Sequence, residues 1–201
     1  MTEQEPGPKL VSDEELSAAH VQPPRVLAGP VVLVEPQASW AEQGAAETAR
    51  VRGALGDVAL RVEHVGSTSI PGLVAKPILD LVLVVADPDE ESSYVPALED
   101  AGFVLHVREP WWHRHRMLKG VEPAVNLHVF SSECGEPTRM IAFRDRLLAD
   151  DRDRELYAAT KRDLAARTWR YTQHYADAKA TVVEAILARA GAPSSADACA
   201  D

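Results

Sequence analysis

The strongest hydrophobic pattern in the chain is an almost unbroken apolar run over residues 78–86. Its length and its many β-branched residues are typical of a strand that is buried on both faces. Asp80 is the only charged residue in the run. A carboxylate in a buried strand is costly unless it is paired, hydrogen-bonded or bound to a metal ion. Asp80 is therefore expected to have a partner, either a divalent cation or the nearby Lys76.

Elsewhere, alternation of apolar and polar residues predicts further strands, and a longer period predicts helices. The predicted strands cover residues 31–34, 58–65, 103–108, 111–118 and 124–130, and 103–108 should pair antiparallel with 111–118. The predicted helices cover residues 39–55, 92–101, 139–149, 152–169 and 172–190. Ser-x-x-Glu capping boxes at Ser12 and Ser39 indicate two helix starts, and Gly56 can end the second helix. This pattern places the β-rich part in the middle of the chain and a helical region at its C-terminal end.

Composition limits the organisation and the function classes. A length of 201 residues fits one domain, which we assign to residues 31–190. Residues 1–30 are rich in Pro, Glu, Gln and Ser and are predicted to be mostly disordered, as is the tail at 191–201. A formal charge of −10 argues against general nucleic-acid binding, although a local basic pocket stays open. No apolar run reaches the roughly 18 residues of a membrane span, and no signal pattern opens the chain, so we expect a cytoplasmic protein without a membrane partner.

The segment before the Asp80 strand is a turn rich in glycine and hydroxyl groups. Gly66 relieves steric conflict there, and Ser67, Thr68 and Ser69 follow it directly. Exposed N–H groups and hydroxyls in such a turn can hold an anion. The sequence therefore predicts a phosphate-binding turn next to Asp80.

A Gly-Ser turn followed by an aspartate on a hydrophobic strand resembles the signature of the nucleotidyltransferase superfamily. The string HVGSTSIPGLVAKPILDLVLVV, residues 64–85, more narrowly resembles the GrpB family. Further segments occur in that family's order: Asn-Leu-His-Val at 126–129, Phe-Arg-Asp-Arg-Leu at 143–147, Tyr157 with Lys161, and Tyr171 with Lys179. The resemblance covers roughly residues 31–190. It implies an α+β fold in which a nucleotidyltransferase-like mixed β-sheet is flanked by helices, followed by the C-terminal helical region.

The resemblance also implies a metal site, with one departure. Active nucleotidyltransferases carry a second carboxylate two residues after the first, and that position here is Val82. A two-metal site would therefore lack one of its carboxylate ligands. The next strand offers Asn126 and His128, so Asp80 and His128 are the predicted metal ligands. The expected ion is Mg²⁺, with Mn²⁺ or Zn²⁺ as alternatives.

The most basic run of the chain is His-Arg-His-Arg at residues 113–116. On a strand, His113 and His115 would share one face and Arg114 and Arg116 the other. Three interpretations stay open: the two histidines could join His128 in a zinc site, the two arginines could contact phosphate, or the run could be a solvated strand face.

Two helical segments supply further candidates. Arg144 could reach the site from its helix. Steps of four residues place Tyr171, Tyr175 and Lys179 on one helical face, where Lys179 could hold a phosphate and Tyr171 a base or sugar. Lys161 is interpreted as a solvated charge beside a core aromatic.

Three possible functions follow from these features. The first is binding of a nucleotide or another phosphorylated small molecule, with Gly66, Ser67 and Ser69 on the phosphate, Lys76 balancing charge, and nucleotidyl transfer to a small acceptor as the reaction. The alternative is a non-catalytic ligand-binding or regulatory domain. Because the GrpB family includes members joined to dephospho-coenzyme A kinase, a ligand or partner from coenzyme A metabolism is implied for that alternative. A zinc hydrolase based on the three histidines is the remaining possibility.

Overall fold

The computed structural model describes residues 10–194, which contain one five-stranded mixed sheet. Its strands are β1 (Arg61–Val65), β2 (Leu79–Val85), β3 (Val104–Glu109), β4 (His115–Gly120) and β5 (Val125–Ser131). The spatial order is β1-β2-β5-β4-β3, in which β2 and β5 are parallel and the other neighbours antiparallel. The α+β fold with a mixed sheet is therefore confirmed.

Seven α-helices accompany the sheet within the described residues. They are α1 (Asp13–Ala19), α2 (Ser39–Leu55), α3 (Val95–Asp100), α4 (Glu136–Ala149), α5 (Asp151–Ala165), α6 (Thr172–Asp177) and α7 (Ala180–Arg189). The capping box at Ser12 forms, because the backbone N–H of Glu15 donates to the Ser12 hydroxyl at 3.2 Å. The one expected at Ser39 does not form, since Ala38 is the N-cap of α2 and makes no side-chain cap bond. Gly56, with φ of 53°, ends α2 as expected.

The two faces of the sheet are buried against different helices. Leu81, Leu83 and the other apolar residues of that face form the main core with Val51 of α2 and Leu98 of α3. On the opposite face, Val82 lies in a smaller cluster with Ile141 of α4. Alternate side chains of a strand point to opposite faces, so Asp80 shares the face of Val82. The helical region from α4 onward therefore lies on the Asp80 side of the sheet.

Several predicted boundaries are wrong, and each has a local cause. The strand expected at 111–118 begins only at His115, because the preceding residues form a turn in which His113 and Arg114 have φ of 54° and 50°. The strand at 58–65 begins at Arg61 after a short 3₁₀ turn. Residues 31–34 contribute only a bridge from Val34 to Ala75.

The N-terminal segment is partly described. Residues 10–30 include α1 and a bridge from His20 to Val107 on β3. Residues 1–9 and 195–201 lie outside the described residues, so the disorder predicted there and the proposed domain limits stay predictions. Between residues 10 and 194, no helix is long and apolar enough to cross a bilayer.

Candidate functional site

A row of polar side chains crosses three strands of the sheet at Asp80. The strand register places Asp80 of β2 beside Asn126 of β5, and Asn126 beside Lys119 of β4. Paired residues point to the same face, so these side chains are neighbours. Asn126 Nδ2 donates a hydrogen bond to Asp80 Oδ1 at 2.9 Å. The Asp80 side chain retains 32% exposure, which leaves its carboxylate accessible to a ligand.

The electrostatic surroundings keep Asp80 ionised. Burial raises the pKa of Asp80, but His128, the hydrogen bond from Asn126 and the charge of Lys76 together lower it below its ordinary value. Lys76 is thus one of several groups that stabilise the half-buried carboxylate. The expectation that Asp80 needs partners is met by protein groups.

The glycine of the turn is required by close packing against Asp80. Gly66 has φ of 70° and ψ of −172°, a conformation that side chains disfavour. A Cβ atom at this position would lie 2.5 Å from Asp80 Oδ2. Any side chain at residue 66 would therefore displace either the turn or the carboxylate.

The three hydroxyl groups of the turn have different partners. The Ser69 hydroxyl donates to the Gly66 carbonyl at 2.6 Å, and the Thr68 hydroxyl donates to the Ile78 carbonyl at 3.3 Å. These two bonds hold the turn together. Ser67 differs, because its Oγ accepts a hydrogen bond from Lys161 Nζ at 2.9 Å. Of the three hydroxyls, Ser67 is the one that contacts a cationic group suited to an anion.

Lys161 of α5 is a site residue that sequence reasoning missed. Its side chain is 2% exposed, and Nζ also donates to the Val74 carbonyl and lies 4.7 Å from the Tyr157 ring centre. Burial, helped by the charges of Lys179 and Arg162, lowers the pKa of Lys161 to about 7. A buried lysine is rare unless it is paired, so its position beside the predicted turn is functionally informative.

Two other lysines interact electrostatically with Asp80, and a third interacts with Lys76. Burial and the charge of Lys179 lower the pKa of Lys76, while Asp80 raises it. Burial lowers the pKa of Lys179, and Asp80 and Asp177 raise it. Burial and the charge of Lys76 lower the pKa of Lys119. We call this group the lysine cluster; it consists of Lys76, Lys119, Lys161 and Lys179.

The residues around Asp80 do not fit a divalent cation. Asn126 presents its N–H group to the carboxylate, and the lysine cluster supplies positive charge that repels a metal ion. Between residues 10 and 194, no group of three or more histidine, cysteine or acidic side chains could hold a metal ion. Mg²⁺ at Asp80 and His128 therefore stays a prediction that this donor set does not favour.

The position of the absent second carboxylate is fully buried. Val82 is 0% exposed and packs with Val65, Phe130 and Ile141 beneath α4. A carboxylate at this position would lie under a helix with apolar neighbours. Apolar core packing therefore occupies the position where a second metal-binding carboxylate would be expected.

The three histidines proposed for a zinc site do not converge. His113 lies in the turn before β4, where the centroids of its ring and the Trp112 ring are 5.0 Å apart. His115 does reach His128, with 3.1 Å between His115 Nε2 and His128 Nδ1. The expectation of alternating histidines is wrong, because the strand starts after His113.

Arg114 and Arg116 form ion pairs with acidic residues far along the chain. Arg114 binds Asp87 at 2.8 Å, and Arg116 binds Asp89 and Glu91, both at 2.7 Å. Arg116 pairs in register with Val129, whose side chain belongs to the opposite face of the sheet from Asp80. The structure does not bring these arginines to the site.

The two remaining candidates, Arg144 and Tyr171, lie outside the polar row around Asp80. Arg144 Nη1 donates to the His64 carbonyl at 3.0 Å and pairs with Glu63 at 3.1 Å on the edge strand β1. There it lines an open groove of about 590 Å³ between α2 and α4, which Ser69 of the turn also lines but Asp80 does not. Tyr171 is buried and packs against His174.

Comparison with known proteins identifies the family. A sequence profile described as GrpB protein matches residues 30–189. The chain belongs to the GrpB family. UPF0157 protein BH1888 of Halalkalibacterium halodurans is 48% identical over 181 residues, which cover 90% of this chain and 93% of that protein.

A solved structure of the family has the same fold. The crystal structure of conserved protein GrpB from Enterococcus faecalis matches with a TM-score of 0.67 and 25% identity, covering 79% of this chain and 96% of that chain. A dephospho-CoA kinase of Mycolicibacterium paratuberculosis is 29% identical over 71% of this chain, and the match spans 42% of that protein.

Proposed function

We propose that this protein binds a phosphorylated small molecule at the lysine cluster and that binding needs no divalent metal ion. The observation that carries the proposal is the buried Lys161, which donates to Ser67 in the turn next to Asp80. The four lysines of the cluster outnumber the two carboxylates that interact with them, Asp80 and Asp177. An anion would balance this charge, since partly buried ammonium groups need counter-charges.

The proposal agrees with the charge of the whole chain. A protein of formal charge −10 repels extended polyanions but can concentrate positive potential in one pocket. A phosphate group offers several acceptor oxygens, which the ammonium groups and the Ser67 hydroxyl can satisfy together. A small phosphorylated ligand therefore suits the site better than a nucleic acid.

A nucleotide or a coenzyme A precursor is the ligand class we propose. Its support is the partial match to a protein named dephospho-CoA kinase, in which the matched part spans less than half of that protein. The present sequence has no Gly-x-x-x-x-Gly-Lys-Ser/Thr motif, so no P-loop kinase chemistry is proposed for it. The match favours a ligand or partner from coenzyme A metabolism.

Nucleotidyl transfer to a small acceptor is the second candidate function. His128 favours it, because Nε2 lies 3.9 Å from Asp80 Oδ1 on the accessible side of the polar row. Val82 argues against the usual two-metal form of that reaction.

A thermal-shift screen tests the proposal. Purified protein would be heated with nucleotides, coenzyme A precursors and pyrophosphate, each with Mg²⁺ or with chelator, because a ligand of the native state raises Tm. We expect stabilisation by at least one phosphorylated compound in chelator, and a smaller shift for Lys161→Met. Stabilisation that appears only with Mg²⁺ would instead support the metal site, and no stabilisation by any compound would contradict phosphate binding.

A further inference from the structure

A line of hydrogen-bonding groups leads from the end of β3 to the polar row. Glu109 Oε2 lies 2.7 Å from His115 Nδ1, and His115 Nε2 lies 3.1 Å from His128 Nδ1. His128 Nε2, the last atom of this line, lies 3.9 Å from Asp80 Oδ1. The distance from His128 to Asp80 is too long for a direct hydrogen bond.

Packing holds the middle of this line in place. His115 is 4% exposed, and its ring lies against Phe130 with centroids 4.8 Å apart. The ring of Trp112 meets the same imidazole edge-on at 5.2 Å. His115 and His128 have nearly parallel rings, 20° apart. The imidazole of His115 thus has little freedom to turn.

The chemistry of the groups sets the direction of each hydrogen bond. An ionised carboxylate only accepts, so Nδ1 of His115 donates to Glu109. His115 is buried against the rings of Phe130 and Trp112, surroundings that disfavour a charged imidazole, and this burial lowers its pKa, so its ring is neutral at neutral pH. Its Nε2 then carries no hydrogen and accepts from Nδ1 of His128. The hydrogen of a neutral His128 is therefore on Nδ1, and its Nε2 is unprotonated. The effect of His128 on the pKa of Asp80 belongs to the imidazolium form, which carries a hydrogen on both nitrogens.

We propose that His128 accepts the proton of a ligand hydroxyl group, and that His115 and Glu109 are positioning residues that hold its Nε2 free for this role. The proposal rests on the proposed function, because the ligand must occupy the lysine cluster beside Asp80. The oxygen of a ligand hydroxyl group that lies about 2.8 Å from His128 Nε2 can donate its one hydrogen to that nitrogen. The substrate class is therefore an acceptor with a hydroxyl group, placed next to a phosphorylated donor such as a nucleoside triphosphate.

The proton transfer fits a balanced group transfer. As the acceptor oxygen forms its bond to the α-phosphorus, its O–H bond breaks and the proton passes to His128 Nε2. Pyrophosphate leaves with the electron pair of the broken P–O bond. The resulting imidazolium has hydrogens on both nitrogens, and Glu109 stabilises this cation through His115.

The tautomer of His128 tests the proposal without any known substrate. Nitrogen NMR of protein labelled at its histidines distinguishes the Nδ1–H form from the Nε2–H form. Two other histidines serve as internal standards, because carbonyl oxygens only accept: His20 Nδ1 lies 2.7 Å from the Leu16 carbonyl, and His174 Nε2 lies 3.2 Å from the Val11 carbonyl. We expect the ring-nitrogen signals of neutral His128 to show the Nδ1–H pattern of His20. The Nε2–H pattern of His174 would overturn the inference.

Two variants separate positioning from packing. Glu109→Leu removes the acceptor, so His128 should lose its preference for Nδ1–H, whereas Glu99→Leu at an exposed carboxylate on α3 should leave it unchanged. An unchanged tautomer in a folded Glu109→Leu protein would contradict the role of Glu109. If that variant does not fold, the tautomer of His128 in the unaltered protein still tests the proposal. Titrating pyrophosphate into the same samples is a separate test. If pyrophosphate causes no spectral change, the proposed function is contradicted. If His128 has the Nε2–H tautomer, only the present inference is contradicted.

Discussion

The two basic regions of the molecule use their charges in opposite ways. Arg114 and Arg116 form the most basic stretch of the sequence, yet their guanidinium groups bind Asp87, Asp89 and Glu91. The lysine cluster is scattered over the sequence from residue 76 to residue 179, and three of its members, Lys76, Lys161 and Lys179, interact electrostatically with Asp80.

Under the proposed function, local basic character in the sequence is a poor guide to the anion site. The arginines are neutralised by the acidic loop after β2, about 25 residues away in sequence. The lysines retain excess charge because the turn, the sheet and the C-terminal helices bring them together. Charge that stays unbalanced in the fold, and not charge density in the sequence, indicates where an anion binds.

The largest expected effect concerns the turn that brings Ser67 and Lys161 to Asp80. Gly66→Ala should lower the free energy of unfolding by about 3 kcal/mol, because the new methyl group meets Asp80 and the backbone is strained. Gly72→Ala is the matched control, with φ of 78° and no atom within 4 Å of the added Cβ, and should cost about 1 kcal/mol. Urea unfolding of both variants checks this. Equal losses would show that contact with Asp80 does not constrain the turn.

The next effect compares the two regions directly. Lys161→Met should weaken pyrophosphate binding by about 2 kcal/mol, roughly 30-fold, because a charged donor to the phosphate is lost. Arg114→Met should leave the affinity unchanged, since its partners are Asp87 and Asp89. Calorimetric titration measures both. A larger loss in the arginine variant would reverse the assignment of the anion site.

The pH dependence of binding should follow Lys161. Its pKa is lowered to about 7 in the free protein, so the ammonium form that binds an anion is depleted as pH rises above that value. Sulfate affinity should therefore fall about tenfold, or about 1.4 kcal/mol, between pH 6 and pH 8. Sulfate is the probe because it does not titrate in this range. The Lys161→Met protein should lack most of this decline, and an equal decline in both proteins would assign it to another group.

The smallest effect separates anion binding from metal binding. Asp80→Asn removes the carboxylate that opposes an anion, so pyrophosphate affinity in chelator should rise by about 1 kcal/mol, roughly fivefold. Asp89→Asn, at an acidic partner of Arg116, should change it little. Loss of binding in Asp80→Asn, together with a requirement for Mg²⁺, would restore the metal interpretation.

Much of the fold could be predicted from the sequence, because its signals are local. The apolar run containing Asp80 became β2, and the segment with Asn126 and His128 became its parallel neighbour β5. The start of β4 was missed because the turn before it uses positive φ at His113 and Arg114, where neither glycine nor asparagine signals it.

The site was predicted only in part. The Gly-Ser turn and Asp80 could be found because they lie close together in sequence and resemble a known signature. Lys161 was missed because a lysine on a polar helix is normally solvated, and only the packing of α5 against the turn buries it. Glu109 was missed for a similar reason, and His115 was predicted beside His128 only as a zinc ligand, because the hydrogen-bonded line from Glu109 to His128 depends on strand order.

The central claim is that a phosphate binds between Ser67 and the lysine cluster without a metal ion. A crystal structure of the unaltered protein grown with pyrophosphate and chelator tests it most directly. The account predicts an anion in contact with Lys161 Nζ and Ser67 Oγ, beside Asp80. An anion bound at Arg114 and Arg116 instead, or a pyrophosphate that binds only when Mg²⁺ joins it to Asp80 and His128, would contradict it.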